Sequence, residues 1–143
     1  MIADTDLFFF YLRGGSCEAQ AESVIEEVTR GDLELKVSSE TYDDAISAIR
    51  ADEQPLEIAR SFVADMKSIP HTAYPLSAEI AEDALGLYVS HGGRRRLSYF
   101  DSFHVATARR FDIPLLTSDK YIIKHQSELG TRATDLSSVK GRR

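Results

Sequence analysis

Hydrophobic and polar positions alternate along the chain in blocks whose period switches between strand and helix. The opening run Met1-Ile2-Ala3 is short and apolar and meets Asp4-Thr5-Asp6, so it reads as a buried strand ending at Asp4 and followed by a helical turn through Leu7 to Leu12. Ser16 is placed to cap a helix reaching about Arg30, in which Ala19, Val24, Ile25 and Val28 recur near the helical period and Gly31 closes the end. A second strand is expected from Leu33 to Val37. Ser38 or Ser39 then caps a helix with Ala45, Ile46, Ala48 and Ile49 on its apolar side, broken by Asp52 to Gln54. Pro55 suits the first turn of the next helix, which is expected to turn Ile58, Phe62, Val63 and Met66 inward. The stretch from Ile69 to Leu76 carries two prolines and reads as an edge strand.

The second half repeats the alternation. Ser77 opens a helix with Glu79 and Glu82 near its positive end and Gly92-Gly93 beyond its other end. A loop of Arg94, Arg95 and Arg96 follows, then a helix from Tyr99 to Phe111, then the short apolar run Ile113 to Thr117, a strand buried on both faces. Asp119 stands just past it. Strands alternating with helices predict a three-layer α/β/α sandwich around a central, mainly parallel sheet. Length and pattern fit a single domain over residues 1–137, with residues 138–143 as a mobile basic tail.

Composition narrows the function classes. A formal net charge of −6 excludes a protein that coats nucleic acid through a generally basic surface. It leaves room for an enzyme with an acidic pocket and a local basic rim, and Arg94 to Arg96, placed shortly before Asp101, are candidate phosphate contacts. Cys17 is the only cysteine, which removes a disulfide within the chain and any cysteine-based zinc site. No run approaches the roughly 20 apolar residues of a membrane span, and the start lacks signal-peptide features, so a cytoplasmic protein with no membrane association is expected.

Three acids fall at equivalent places. Asp4 and Asp119 follow two separate strands at their carboxyl ends, where sites gather in parallel sheets, and Asp101 opens a helix rich in small residues. Any one of them alone reads as a turn or cap residue. Together they form a set of like charges that raise one another's pKa unless a cation joins them, and oxygen ligands without imidazole or thiolate suit Mg²⁺ or Mn²⁺. His104, three residues after Asp101, could approach the acidic pocket or touch RNA but reads better as a packing or surface histidine, and the Phe8 to Tyr11 aromatic run reads as core or dimer packing.

The opening IADTD and the later block FDSFHVATARRFDIPLLTSDKYI resemble the PIN-domain pattern, and their order and spacing match along the whole chain. That resemblance implies metal-binding carboxylates at Asp4, Asp101 and Asp119, with Thr5, Asp6 and Thr117 as supporting polar positions. The family's remaining acid, usually a Glu in the helix after the second strand, corresponds by counting to Asp44, with Asp43 and Glu40 as alternatives. The resemblance implies a metal-dependent endoribonuclease acting on RNA, in particular a VapC-like toxin restrained by an antitoxin partner, and it implies a homodimer, for which the apolar helices after Pro55 are available, although they equally suit completion of the monomer core.

Two other readings compete. Asp4-Thr5-Asp6 after a strand also fits a haloacid-dehalogenase-like phosphatase with Asp4 as nucleophile, although Phe8 stands where the fuller motif wants Thr or Val. A catalytically inactive PIN-like binding module is the other, favoured by the shorter acid at position 44.

Overall fold

The computed structural model describes residues 1–141. Five parallel strands, β1 (Ile2–Ala3), β2 (Lys36–Ser38), β3 (Thr72–Tyr74), β4 (Leu115–Thr117) and β5 (Ala133–Asp135), form one sheet in the order β3-β2-β1-β4-β5. The intervening helices are α1 (Asp6–Arg13), α2 (Glu18–Thr29), α3 (Glu40–Ala51), α4 (Leu56–Ser68), α5 (Ala78–His91), α6 (Tyr99–Phe111), α7 (Lys120–Lys124) and α8 (Gln126–Leu129).

Side chains of a strand alternate between faces, and here the alternation separates two cores. Ala3, Val37 and Leu116 join residues of α1, α2, α3 and α4 in one apolar cluster. Ile2 and Leu115, their neighbours in sequence, join residues of α5, α6, α7 and α8 in another. The sheet is therefore covered on both sides, and the three-layer sandwich expected from the sequence is the observed fold. Parallel pairing of Ile2 with Leu115 and Ala3 with Leu116 brings the carboxyl ends of β1 and β4 level. The chain runs outward from β1 through β2 to β3, then returns to the other side of β1 for β4. A crevice opens at such a reversal, beyond the strands' carboxyl ends.

Several local expectations are corrected. Ser16 does not cap α2; Cys17 is the N-cap residue, without a side-chain hydrogen bond. Ser39 is the N-cap residue of α3, as one of the two alternatives had it, but its hydroxyl makes no cap hydrogen bond. Ser38 belongs to β2, and the Ser39 hydroxyl accepts the Leu76 N–H at 3.0 Å, tying α3 to the segment after β3. Ile58 points out of the core and is 41% exposed, because Ala59, Phe62 and Met66 are the residues of α4 that face inward. The edge position of β3 is as expected, whereas β5 has no counterpart in the hydrophobic pattern: its three residues are all half-buried. Phe8 is fully buried and Phe9 stacks on Phe62 with ring centres 4.7 Å apart, so this part of the aromatic run is core. Beyond β5, Leu136 is buried in a short 3-10 turn and Val139 packs on the first cluster. Of the expected basic tail, Arg142 and Arg143 lie outside the described residues.

Candidate metal site at the sheet edge

Asp4 is 2% exposed and takes hydrogen bonds at both oxygens: Oδ1 accepts the Asp6 N–H at 3.1 Å and Oδ2 accepts the Thr117 hydroxyl. The Thr117 oxygen in turn accepts the Asp119 N–H at 3.0 Å, so one fully buried hydroxyl links the ends of β1 and β4. Asp119 caps α7, its Oδ1 accepting the Ile122 N–H at 3.1 Å. Asp101 sits in the first turn of α6, where Ser98 is the cap and accepts the Asp101 N–H at 3.2 Å. Asp6 opens α1, and its carboxylate accepts the Ser118 hydroxyl at 2.8 Å.

These carboxylates lie close enough to perturb one another. Burial, then the charges of Asp6 and Asp101, push the Asp4 carboxyl well above the usual carboxylate range. Asp6 is raised by burial and by the Asp44 and Asp119 charges, against the pull of the Ser118 hydrogen bond. Asp101 is pushed up to about 6 by burial and by the Asp119 and Asp6 charges, with His104 acting the other way. Holding several such acids together costs free energy that a divalent cation offsets. As they stand, no three His, Cys, Asp or Glu side chains among the described residues are arranged to hold a metal ion. Asp4, Asp6 and Asp119 are turned onto protein donors instead. Each carboxylate keeps further lone pairs, and an all-oxygen donor set of this kind is what Mg²⁺ or Mn²⁺ takes.

The acids near the start of α3 differ in their surroundings. Asp44 Oδ2 accepts the Thr5 hydroxyl at 2.5 Å and lies 3.4 Å from His104 Nε2. Asp43 is exposed. Glu40 is half-buried, with its carboxyl raised by burial and by the Asp43 charge. Of the three, Asp44 is the one hydrogen-bonded to the turn that carries Asp4 and Asp6. The arginine loop lies between α5 and α6, with all three arginines exposed; Arg96 donates to the Ser90 carbonyl at 3.1 Å and lies over the Tyr121 ring. Tyr121 belongs to α7, the helix that Asp119 caps.

Three further polar residues belong to this edge; the sequence assigned none of them a role here and offered one only for His104. Ser38 and Ser118 carry no signal in a single sequence beyond their places at and just after the ends of strands. His104, expected to be a packing or surface residue, is fully buried and bridges Ser38, Thr5 and Asp44. Its position one turn beyond Asp101 on α6 was the available hint. A cavity of about 280 Å³ lined by Arg109, Asp112, Gly130 and Arg132 lies toward the opposite end of β4 and holds none of these acids.

The model of the PIN domain family matches residues 1–127. The chain belongs to the PIN-domain family. No curated protein matches it. Among solved structures, this PIN domain is similar in fold to VapBC2 from Rickettsia felis bound to a promoter DNA fragment, at 13% identity and a TM-score of 0.67 over 94% of this chain and 96% of that one. It is similar to VapBC-1 from nontypeable Haemophilus influenzae, at 14% identity and a TM-score of 0.63 over 96% and 98% of the two chains. A toxin-antitoxin complex from Klebsiella pneumoniae matches at 18% identity and a TM-score of 0.53 over 85% and 88%.

Proposed function

We propose that this PIN domain is a Mg²⁺- or Mn²⁺-dependent endoribonuclease that hydrolyses RNA phosphodiester bonds, acting in the cytoplasm as the toxin of a VapBC-like pair. The observation that carries the reading is the gathering of acids at one sheet edge: Asp4 is buried and joined through the Thr117 hydroxyl to the Asp119 backbone and through the Asp6 N–H to the start of α1, and the charges of Asp6 and Asp101 raise its carboxyl.

In this reading Asp4, Asp101 and Asp119 hold the cation, with Asp44 as the fourth acid and Thr5, Asp6 and Thr117 supporting them. The cation supplies an activated water and neutralises charge developing on the phosphate. Thr117 fixes Asp4, and the backbone N–H of Ile122 fixes Asp119, so neither acid is free to swing away. The exposed Arg94, Arg95 and Arg96 receive the RNA backbone beside Asp101, supplying locally the positive charge that the whole chain lacks. Among the described residues no helix is long and apolar enough to cross a membrane.

The antitoxin partner and the homodimer are supported by the fold shared with VapBC proteins and by exposed apolar residues on two faces of α4, Leu56 at 67% near Ile46 and Val63 and Ile58 at 41% near Leu12. The phosphatase alternative is disfavoured by the family match over residues 1–127 and by Phe8, which stands where the fuller phosphatase motif wants Thr or Val.

Purified protein is expected to cleave RNA only with Mg²⁺ or Mn²⁺, to stop in EDTA, and to lose at least about 100-fold in rate on Asp101→Asn, because a weakened hold on the cation withdraws the charge stabilisation the cation would supply. Cleavage by Asp101→Asn at the rate of the unaltered chain contradicts the assignment, and a folded, metal-binding protein without cleavage favours the inactive binding module.

A further inference from the structure

His104 is the fully buried meeting point of four elements. Its ring projects from α6; Nδ1 lies 2.8 Å from the Ser38 hydroxyl at the end of β2, and Nε2 lies 3.3 Å from Thr5 Oγ1 between β1 and α1 and 3.4 Å from Asp44 Oδ2 in α3. Proton bookkeeping fixes how these groups are joined. A threonine hydroxyl has one hydrogen to give. Thr5 gives it to Asp44 Oδ2 at 2.5 Å, so toward the imidazole its oxygen is an acceptor. The Asp44 carboxylate is an acceptor as well. Both neighbours of Nε2 therefore require a hydrogen on that nitrogen, while the Ser38 hydroxyl, which both donates and accepts, serves Nδ1 in either state.

We propose that His104 is a positioning residue for the fourth acid: its Nε2–H, shared between Thr5 and Asp44, clamps the Asp44 carboxylate against the turn that carries Asp4 and Asp6. Asp44 is one methylene shorter than the Glu common at this place in the family, and a clamp from two sides compensates for reach by fixing direction. Oδ2 takes the two contacts from Thr5 and His104, and no hydrogen bond from another described residue reaches Oδ1. That oxygen is left for the site. Ser38 completes the arrangement by holding Nδ1 at 2.8 Å and so fixing the orientation of the ring. The metal readout below rests on the metal-site reading proposed above; the placement of the hydrogen on Nε2 does not.

The full chain is tested in two ways. Long-range ¹H–¹⁵N NMR correlations of the metal-free protein are expected to show the His104 hydrogen on Nε2; a ring protonated at Nδ1 alone overturns the proposal whatever the metal does. Mn²⁺ titrations then compare the unaltered chain with His104→Leu, His104→Gln, Asp44→Asn and the double variant His104→Leu/Asp44→Asn. His104→Leu is expected to weaken Mn²⁺ binding by about 10-fold, the lower end of second-shell effects, and His104→Gln, whose amide N–H reaches the place of Nε2–H, to recover most of that loss. The double variant is expected to bind no more weakly than Asp44→Asn alone, because one residue acts through the other. Losses that multiply in the double variant, or a folded His104→Leu with unaltered affinity, overturn it. If the unaltered chain binds no Mn²⁺, the nuclease reading falls and the NMR result alone decides the role of His104.

Discussion

Asp101 is pushed up to about 6, mainly by burial, and this gives the metal-free protein a pH dependence of definite sign. Between the ordinary carboxylate value of 3.8 and about 6 the folded chain binds more protons at this residue than the unfolded chain. The contribution is fully present below the lower value and is lost as pH rises through the upper one. Asp4 and Asp6, also raised, act in the same direction. Denaturant unfolding in EDTA is expected to show stability falling from pH 4 to 6.5, less steeply in Asp101→Asn; an equal slope in the variant contradicts the raised value. At this scale the acids were legible in the sequence because their spacing from strand ends is visible in it. The residues that hold them were less so. Ser118, Ser38 and His104 join the site through contacts across the fold: Ser38 and His104 are 66 positions apart, and no local pattern records such a pair.

α7 depends on Asp119 in two ways that different substitutions separate. The carboxylate caps the helix through Ile122 N–H and faces the other acids. Asp119→Asn keeps a capping oxygen and loses the charge, so it is expected to unfold within about 0.5 kcal/mol of the unaltered chain while losing metal-dependent cleavage. Asp119→Ala loses both and is expected to cost about 1 kcal/mol more. Equal stability of the two variants removes the cap from the account. β4 was readable as a strand because all three of its residues are buried. β5 was not, because an edge strand with half-buried Ala133, Thr134 and Asp135 carries no apolar run. Ser77 caps α5 as expected and Ser98, given no role by the sequence, caps α6, while the hydroxyls of Ser38 and Ser39 are drawn to longer-range partners, His104 and Leu76.

At the scale of the molecule, the order β3-β2-β1-β4-β5 sets the carboxyl ends of β1 and β4 side by side, where the Thr117 hydroxyl joins Asp4 to the turn that carries Asp119. Alternating strands and helices made the layered architecture legible; which helix faces remain exposed was not, because a helix built to meet a partner has the same apolar period as one built to meet the core. Ile58 is the instance: expected inside, it is 41% exposed, on a different face of α4 from the 67% exposed Leu56. Leu56→Lys with Ile58→Lys is expected to change Tm by no more than a few degrees, since surface positions contribute little to stability, and to convert a two-chain species to one chain in light scattering. A dimer that survives the double substitution lies on another face. The most direct test of the central claim is a crystal structure with Mn²⁺, read by its anomalous scattering. The account predicts a peak bounded by the carboxylates of Asp4, Asp101 and Asp119, with Asp44 directed toward it; ordered carboxylates with no peak among them at saturating Mn²⁺ would contradict it.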